Sequence, residues 1–272
     1  MHSRVIMHDS VVVDPPGHRG ARFRALAMTI GKQRPVLADV LAAFGIGAVY
    51  LAHVRPWMYT WGARTDEIHA ALPGDEMVAD GAARTTRAVT INAAPQDIWP
   101  WLVQIGEDRG GFYSYYLLER AVGADVHNAD VIHPEWQQLA VGDTIWLARR
   151  YGPAARQLVA AVQPYSHLVL VSAPDFERLQ RGQRAAGAWS FVLLRDGAGS
   201  RLLARGSGGA VGHVWFDLPH FVMEQKMLRG IARRVHRQRR RPVAPPVDQR
   251  NVIPARERRR TGQPGQTPAT AG

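Results

Sequence analysis

The chain has 272 residues, 46% of them hydrophobic, enough to bury a sizeable core as one large domain or two small ones. It contains no cysteine, which excludes disulfides, a cysteine nucleophile and thiolate metal sites. The net charge of +11 is confined to one end: residues 226–272 hold 13 Lys and Arg against two acids, so residues 1–225 are neutral and the body is not a basic nucleic-acid binder.

Residues 1–35 show little periodicity, include Pro15 and Pro16, and read as a loosely ordered leader. Residues 36–54, VLADVLAAFGIGAVYLAHV, are apolar apart from Asp39 and His53. As a helix this run would rise ~28 Å, close to the ~30 Å hydrocarbon core of a bilayer. Trp57, Tyr59 and Trp61 follow where an interfacial aromatic belt would stand. Residues 36–60 are therefore read as a hydrophobic helix and a candidate membrane anchor. In that case Arg19, Arg22, Arg24, Lys32 and Arg34, against Arg55 and Arg64, would leave the leader in the cytoplasm. The alternative is a helix docked on the domain of a cytoplasmic protein.

Residues 61–83 read as a connecting segment with a short helix. RTTRAVTI (84–91) is rich in β-branched residues and alternates, as a strand does. PQDIWPWLVQIG (95–106) opens on proline and places Ile98, Trp101, Leu102 and Ile105 on one helical face. Gly110 and Gly111 turn the chain, and Tyr113, Tyr115 and Tyr116 begin a second helical segment. DTIWLA (143–148), RQLVAAV (156–162), HLVLVSA (167–173), AWSFVLL (188–194) and SRLLARG (200–206) follow as short strands separated by turn residues. Asp217 then reads as the cap of a long helix with Pro219 in its first turn, ending near Arg237. Residues 237–272 are rich in arginine and proline, and disorder is expected there. Successive strands without crossover helices cannot form a parallel sheet. The order predicts an α+β fold: a curved antiparallel sheet of six to seven strands wrapped on a long C-terminal helix, with the domain proper spanning 84–236.

TRAVTINAAPQDIWPWLVQIG (86–106), RGGFYSYYLLE (109–119), VIHPEWQQLAVGDTI (131–145), WSFVLL (189–194) and PHFVMEQKMLRGI (219–231), taken together, resemble the START-related helix-grip superfamily (SRPBCC), in particular its polyketide cyclase/dehydrase and lipid-transport type. WGARTDEIHAALPGDEMV (61–78) is similar to the stretch that precedes the domain in actinobacterial members with an N-terminal hydrophobic helix. The chain departs from the pattern at Tyr116, where related sequences carry an acid after YSY. The resemblance implies a deep cavity between sheet and long helix. Members bind lipids, sterols or polyketides, and some catalyse cyclisation or dehydration.

The candidate ligand-binding residues are Tyr113, Tyr115, Trp146, Trp189, Phe191, Phe216, His220, Met223 and Met227. Residues 220, 223 and 227 share one helical face, and Trp189 and Phe191 share one strand face. His220 is the polar group on an otherwise apolar wall, the usual means of orienting a ligand. RGGFYSYYLLER lacks the lysine of a phosphate loop, no HExxH-type pair suggests a metal, and no cofactor is expected. Three functions remain open: binding or transfer of a hydrophobic small molecule or lipid without catalysis; a cyclase or dehydratase in which His220 or a tyrosine moves protons; and a structural domain whose cavity is filled by its own side chains. The basic tail has the chemistry to approach an anionic membrane surface. It carries no known reading module, so no specific nucleic acid is expected.

Overall fold

A computed structural model of the chain describes residues 39, 42–115 and 126–240. Six strands form one sheet: β1 (Arg84–Ile91), β2 (Thr144–Trp146), β3 (Arg156–Gln163), β4 (His167–Ser172), β5 (Gly187–Asp196) and β6 (Gly199–Gly208). Their spatial order is β1-β6-β5-β4-β3-β2, with every pair antiparallel. Consecutive strands β2 to β6 are neighbours, as hairpins demand. β1 closes the far edge by pairing in full with β6, Arg84 opposite Ser207 and Ile91 opposite Ser200.

Among the described residues, four α-helices follow the N-terminal one: α1 (Thr65–His69), α2 (Pro95–Val103), α3 (Ala173–Gln180) and α4 (Val214–Arg240). α4 lies across the concave face. Its Met227, Leu228, Ile231 and Val235 meet Ile98, Leu102 and Ile105 around α2 and Phe191, Leu193, Leu202 and Ala204 of the sheet in one buried cluster. This is the helix-grip architecture. The apolar i, i+4 spacing of α4 and the alternation of β5 and β6 are what bring those side chains together.

Several sequence expectations are corrected. α4 starts at Val214, so Asp217 is not its cap. The Asp217 carboxylate, 2% exposed, instead accepts from Arg55 Nε at 3.0 Å, Tyr59 Oη at 2.7 Å and the Gly212 N–H at 3.2 Å. α3 falls where no helix was expected. The short helix expected in the connecting segment is α1, and it and the turn after it pack on the outer face of the sheet. There Arg201 is held by Glu67 at 2.6 and 2.7 Å. Arg205 is held by Asp75, Thr86 Oγ1 and the carbonyls of Glu67, Ile68 and Ala70.

The hydrophobic N-terminal segment is helical over 42–49, Tyr50–Val54 and Arg55–Tyr59. Among the described residues no helix is long and apolar enough to cross a membrane. The described apolar run, 42–54, rises only ~20 Å before Arg55. Arg55 is drawn onto Asp217, and Trp57 packs edge-on against Phe221 with centroids 5.3 Å apart, so the end of this helix docks on α4. The helical segment expected to begin at Tyr113 does not begin there, since residues 113–115 are non-helical and Tyr113 has a φ of 57°. Its continuation past Tyr115, the leader and the tail beyond Arg240 lie outside the described residues.

Candidate functional site: a cavity with one polar end

The core does not fill the whole space under α4. Its C-terminal half rests on solid packing. Its N-terminal half roofs a cavity of about 740 Å³. The space exists because the strand ends beneath it carry almost no side chain. Gly187 and Ala188 of β5, and Gly206 and Gly208 of β6, form its floor. A Cβ at Gly206 would lie 3.0 Å from Thr85 Oγ1 and 3.2 Å from Val211, so the floor cannot thicken there without moving a neighbour. The exposed lining residues Tyr151 and Trp215, 53% and 73% accessible, mark the mouth.

Trp189, Phe216, His220, Met223 and Met227 line this cavity. Four other expected residues do not. Tyr113 is buried, with its hydroxyl donating to the Trp101 carbonyl at 3.1 Å, beneath the Arg234 guanidinium at 4.4 Å. Burial raises its phenol pKa far above the ordinary value. Tyr115 is on the surface, 4.7 Å from Lys226 Nζ. Trp146 ends β2 beside Arg149, and its neighbours Leu147 and Ala148 reach the cavity in its place. Phe191 is fully buried in the solid core next to Trp189, with centroids 4.6 Å apart. Sequence reasoning missed Glu224, Arg87 and Trp215. Glu224 was findable: it lies four residues after His220, on the same face of α4.

At the polar end three side chains, Arg87, Trp189 and His220, converge on Glu224. Its Oε2 accepts from Arg87 Nη1 at 2.6 Å and its Oε1 from Trp189 Nε1 at 2.6 Å. Both side chains of the ion pair are fully buried. Burial alone would raise the Glu224 pKa, but the Arg87 guanidinium, with the Trp189 N–H, outweighs it and holds the carboxyl below its usual range. Arg87 also donates from Nε to the Met58 carbonyl at 2.7 Å, while its Nη2 has no hydrogen-bond partner among the described residues.

Arg87 Nη1 also lies 3.2 Å from His220 Nδ1. A guanidinium has no acceptor, so Nδ1 must accept and the ring proton of the neutral imidazole must sit on Nε2. The ring is clamped against Phe216, with centroids 4.7 Å apart and planes 19° apart. Nε2 stands 3.6 Å from Glu224 Oε1, beyond hydrogen-bond range. Burial lowers the His220 pKa, against the pull of the Glu224 carboxylate. The imidazole is therefore neutral at physiological pH and presents a fixed N–H donor.

A six-stranded antiparallel sheet gripping a long helix over a hollow defines a helix-grip protein with an internal cavity, the architecture of the superfamily that the sequence resembles. No family model matches the chain, and no curated protein matches it. Solved structures do. A Mesorhizobium loti protein matches at 14% identity and a TM-score of 0.35, over 57% of this chain and 97% of its own. A Mycobacterium smegmatis protein matches at 11% identity and a TM-score of 0.36, over 59% and 96%. A protein of Corynebacterium glutamicum described as polyketide-cyclase-like matches at 12% identity and a TM-score of 0.26, over 60% and 92%.

Proposed function

We propose that the protein binds a hydrophobic small molecule or lipid in the cavity beneath α4 and performs no reaction on it. The observation that carries this reading is the hollow itself: about 740 Å³, within the ~300–1,000 Å³ range of ligand sites, with a mostly apolar lining. Met223 and Met227 give it an adaptable wall, suited to ligands of varied shape.

The cyclase or dehydratase reading needs a group that takes a proton from the substrate near neutral pH. The Nδ1 lone pair of His220 is occupied by Arg87. Glu224 is held as a weakly basic carboxylate by the same arginine. Tyr113, whose phenol is harder to ionise than usual, does not line the cavity. These features favour binding over catalysis.

Met223→Trp tests the proposal. In an open cavity the indole occupies ligand space, so binding of an apolar fluorescent probe weakens at least tenfold while the melting temperature stays near that of the wild type. If the wild type never binds the probe and the variant is destabilised by roughly 1–3 kcal/mol, as overpacking of a filled core would require, the ligand-binding reading fails.

A further inference from the structure

We propose that the cavity selects apolar ligands carrying one uncharged oxygen acceptor, a ketone or alcohol, which docks on the Nε2–H of His220. This rests on the ligand-binding reading above and specifies its chemistry. The donor's direction is set by neighbours. Arg87 Nη1 donates to Nδ1 at 3.2 Å and so places the imidazole proton on Nε2. Phe216 stacks on the ring and stops it from turning. Nε2–H makes no hydrogen bond to the described residues, since Glu224 Oε1, 3.6 Å away, is beyond hydrogen-bond range. His220 lines the cavity with 17% of its side chain accessible; Glu224 borders the same space, but its side chain and that of Arg87 are fully covered. The polar end therefore offers a ligand one donor and little else.

The same arrangement rejects anions. Arg87 and Glu224 neutralise one another at 2.6 Å, and the neutral imidazole adds no charge. A carboxylate entering this end would lose its hydration and find no unpaired cation within the lining, a cost far above that of one hydrogen bond. A pure hydrocarbon fits the apolar walls but leaves the Nε2–H without an acceptor.

The test is displacement of a bound apolar fluorophore by three compounds of equal carbon number: methyl nonyl ketone, undecane and undecanoate. In the wild type the ketone is expected to displace the fluorophore at a concentration at least tenfold below that needed for undecanoate. His220→Phe keeps the stacked ring and removes the donor. Its affinity for the ketone should fall about tenfold, the scale of one hydrogen bond left unmade, with undecane unchanged. His220→Gln restores both functions, since its amide oxygen can accept from Arg87 and its amide N–H can donate to the ligand. Recovery of ketone binding in this variant is expected. Equal losses for ketone and undecane in His220→Phe, or stronger binding of undecanoate than of ketone by the wild type, would overturn the selectivity while leaving the cavity a binding site. Failure of the wild type to bind the fluorophore or any of the three compounds overturns both.

Discussion

His220 concentrates the chemistry of the site in one ring, and its burial has a consequence for stability. Desolvation pushes its pKa below the ordinary 6.5; the carboxylates of Glu224 and Asp217 pull it up and Arg87 pushes it further down. The folded protein thus takes up the proton less readily than the unfolded chain. The contribution is fully present above the unfolded value and is lost as pH falls below it, toward the folded pKa. His167, whose pKa burial also lowers, acts in the same window. The melting temperature is expected to drop between about pH 7 and about pH 5, and the drop should be shallower in His220→Phe, where only His167 remains of the two. An identical pH profile in the variant would show that His220 is not held neutral by its surroundings. In the sequence, His220 stood out as a lone polar residue on an apolar helical face. Its partner Arg87 did not, because an arginine in an alternating strand reads as solvent-facing, and only the tertiary packing of α4 over β1 turns it inward.

Among the elements, the strands were the most legible. Their β-branched alternation is local, and all five expected after residue 140 occur within a few residues of their expected bounds. α3 escaped because its start overlaps the end of β4. Ser172 closes the strand and also caps the helix, accepting from the Asp175 N–H at 3.3 Å, so the apolar run hides the onset. The start of α4 was displaced because Asp217, a good capping residue by type, is claimed by Arg55 and Tyr59 from a distant segment. Burial of Tyr59 and, secondarily, the Asp217 carboxylate raise the phenol's pKa to about 12. The cavity was foreseeable in outline, but its floor was not: glycines at 187, 206 and 208 look like strand breakers until their shared end of the sheet is seen. One glycine of α4 has the opposite role. A Cβ at Gly230 would stand 2.4 Å from the Tyr113 carbonyl oxygen and 2.7 Å from Tyr113 Cβ. By helix propensity alone Gly230→Ala would gain about 1 kcal/mol, but the clash with backbone should win. A net loss of roughly 1–3 kcal/mol in thermal or denaturant unfolding is expected. A variant as stable as the wild type would mean that the 110–115 loop does not press on α4.

At the scale of the whole molecule, the residues before β1 are part of the fold. Leu72, with Ala63 and Ala70, covers Ala88, Val192 and Leu203 on the outer face of the sheet. Arg201 and Glu67 meet there almost without solvent, 7% and 5% exposed. A fragment of residues 84–240 would keep every strand, the whole of α4 and the lining of the cavity, yet bare this apolar face. It is expected to aggregate, whereas residues 50–240 should remain monomeric in size-exclusion chromatography. Equal behaviour of the two would show the cover to be dispensable. The cover also constrains the order of events during synthesis. Glu67 waits for a partner 134 residues further along, and β1 for strand β6. At ~5–20 residues per second on the ribosome, that interval is roughly 7–27 s. Throughout it, the first third of the nascent chain carries its apolar and acidic groups without the surface they are meant to meet.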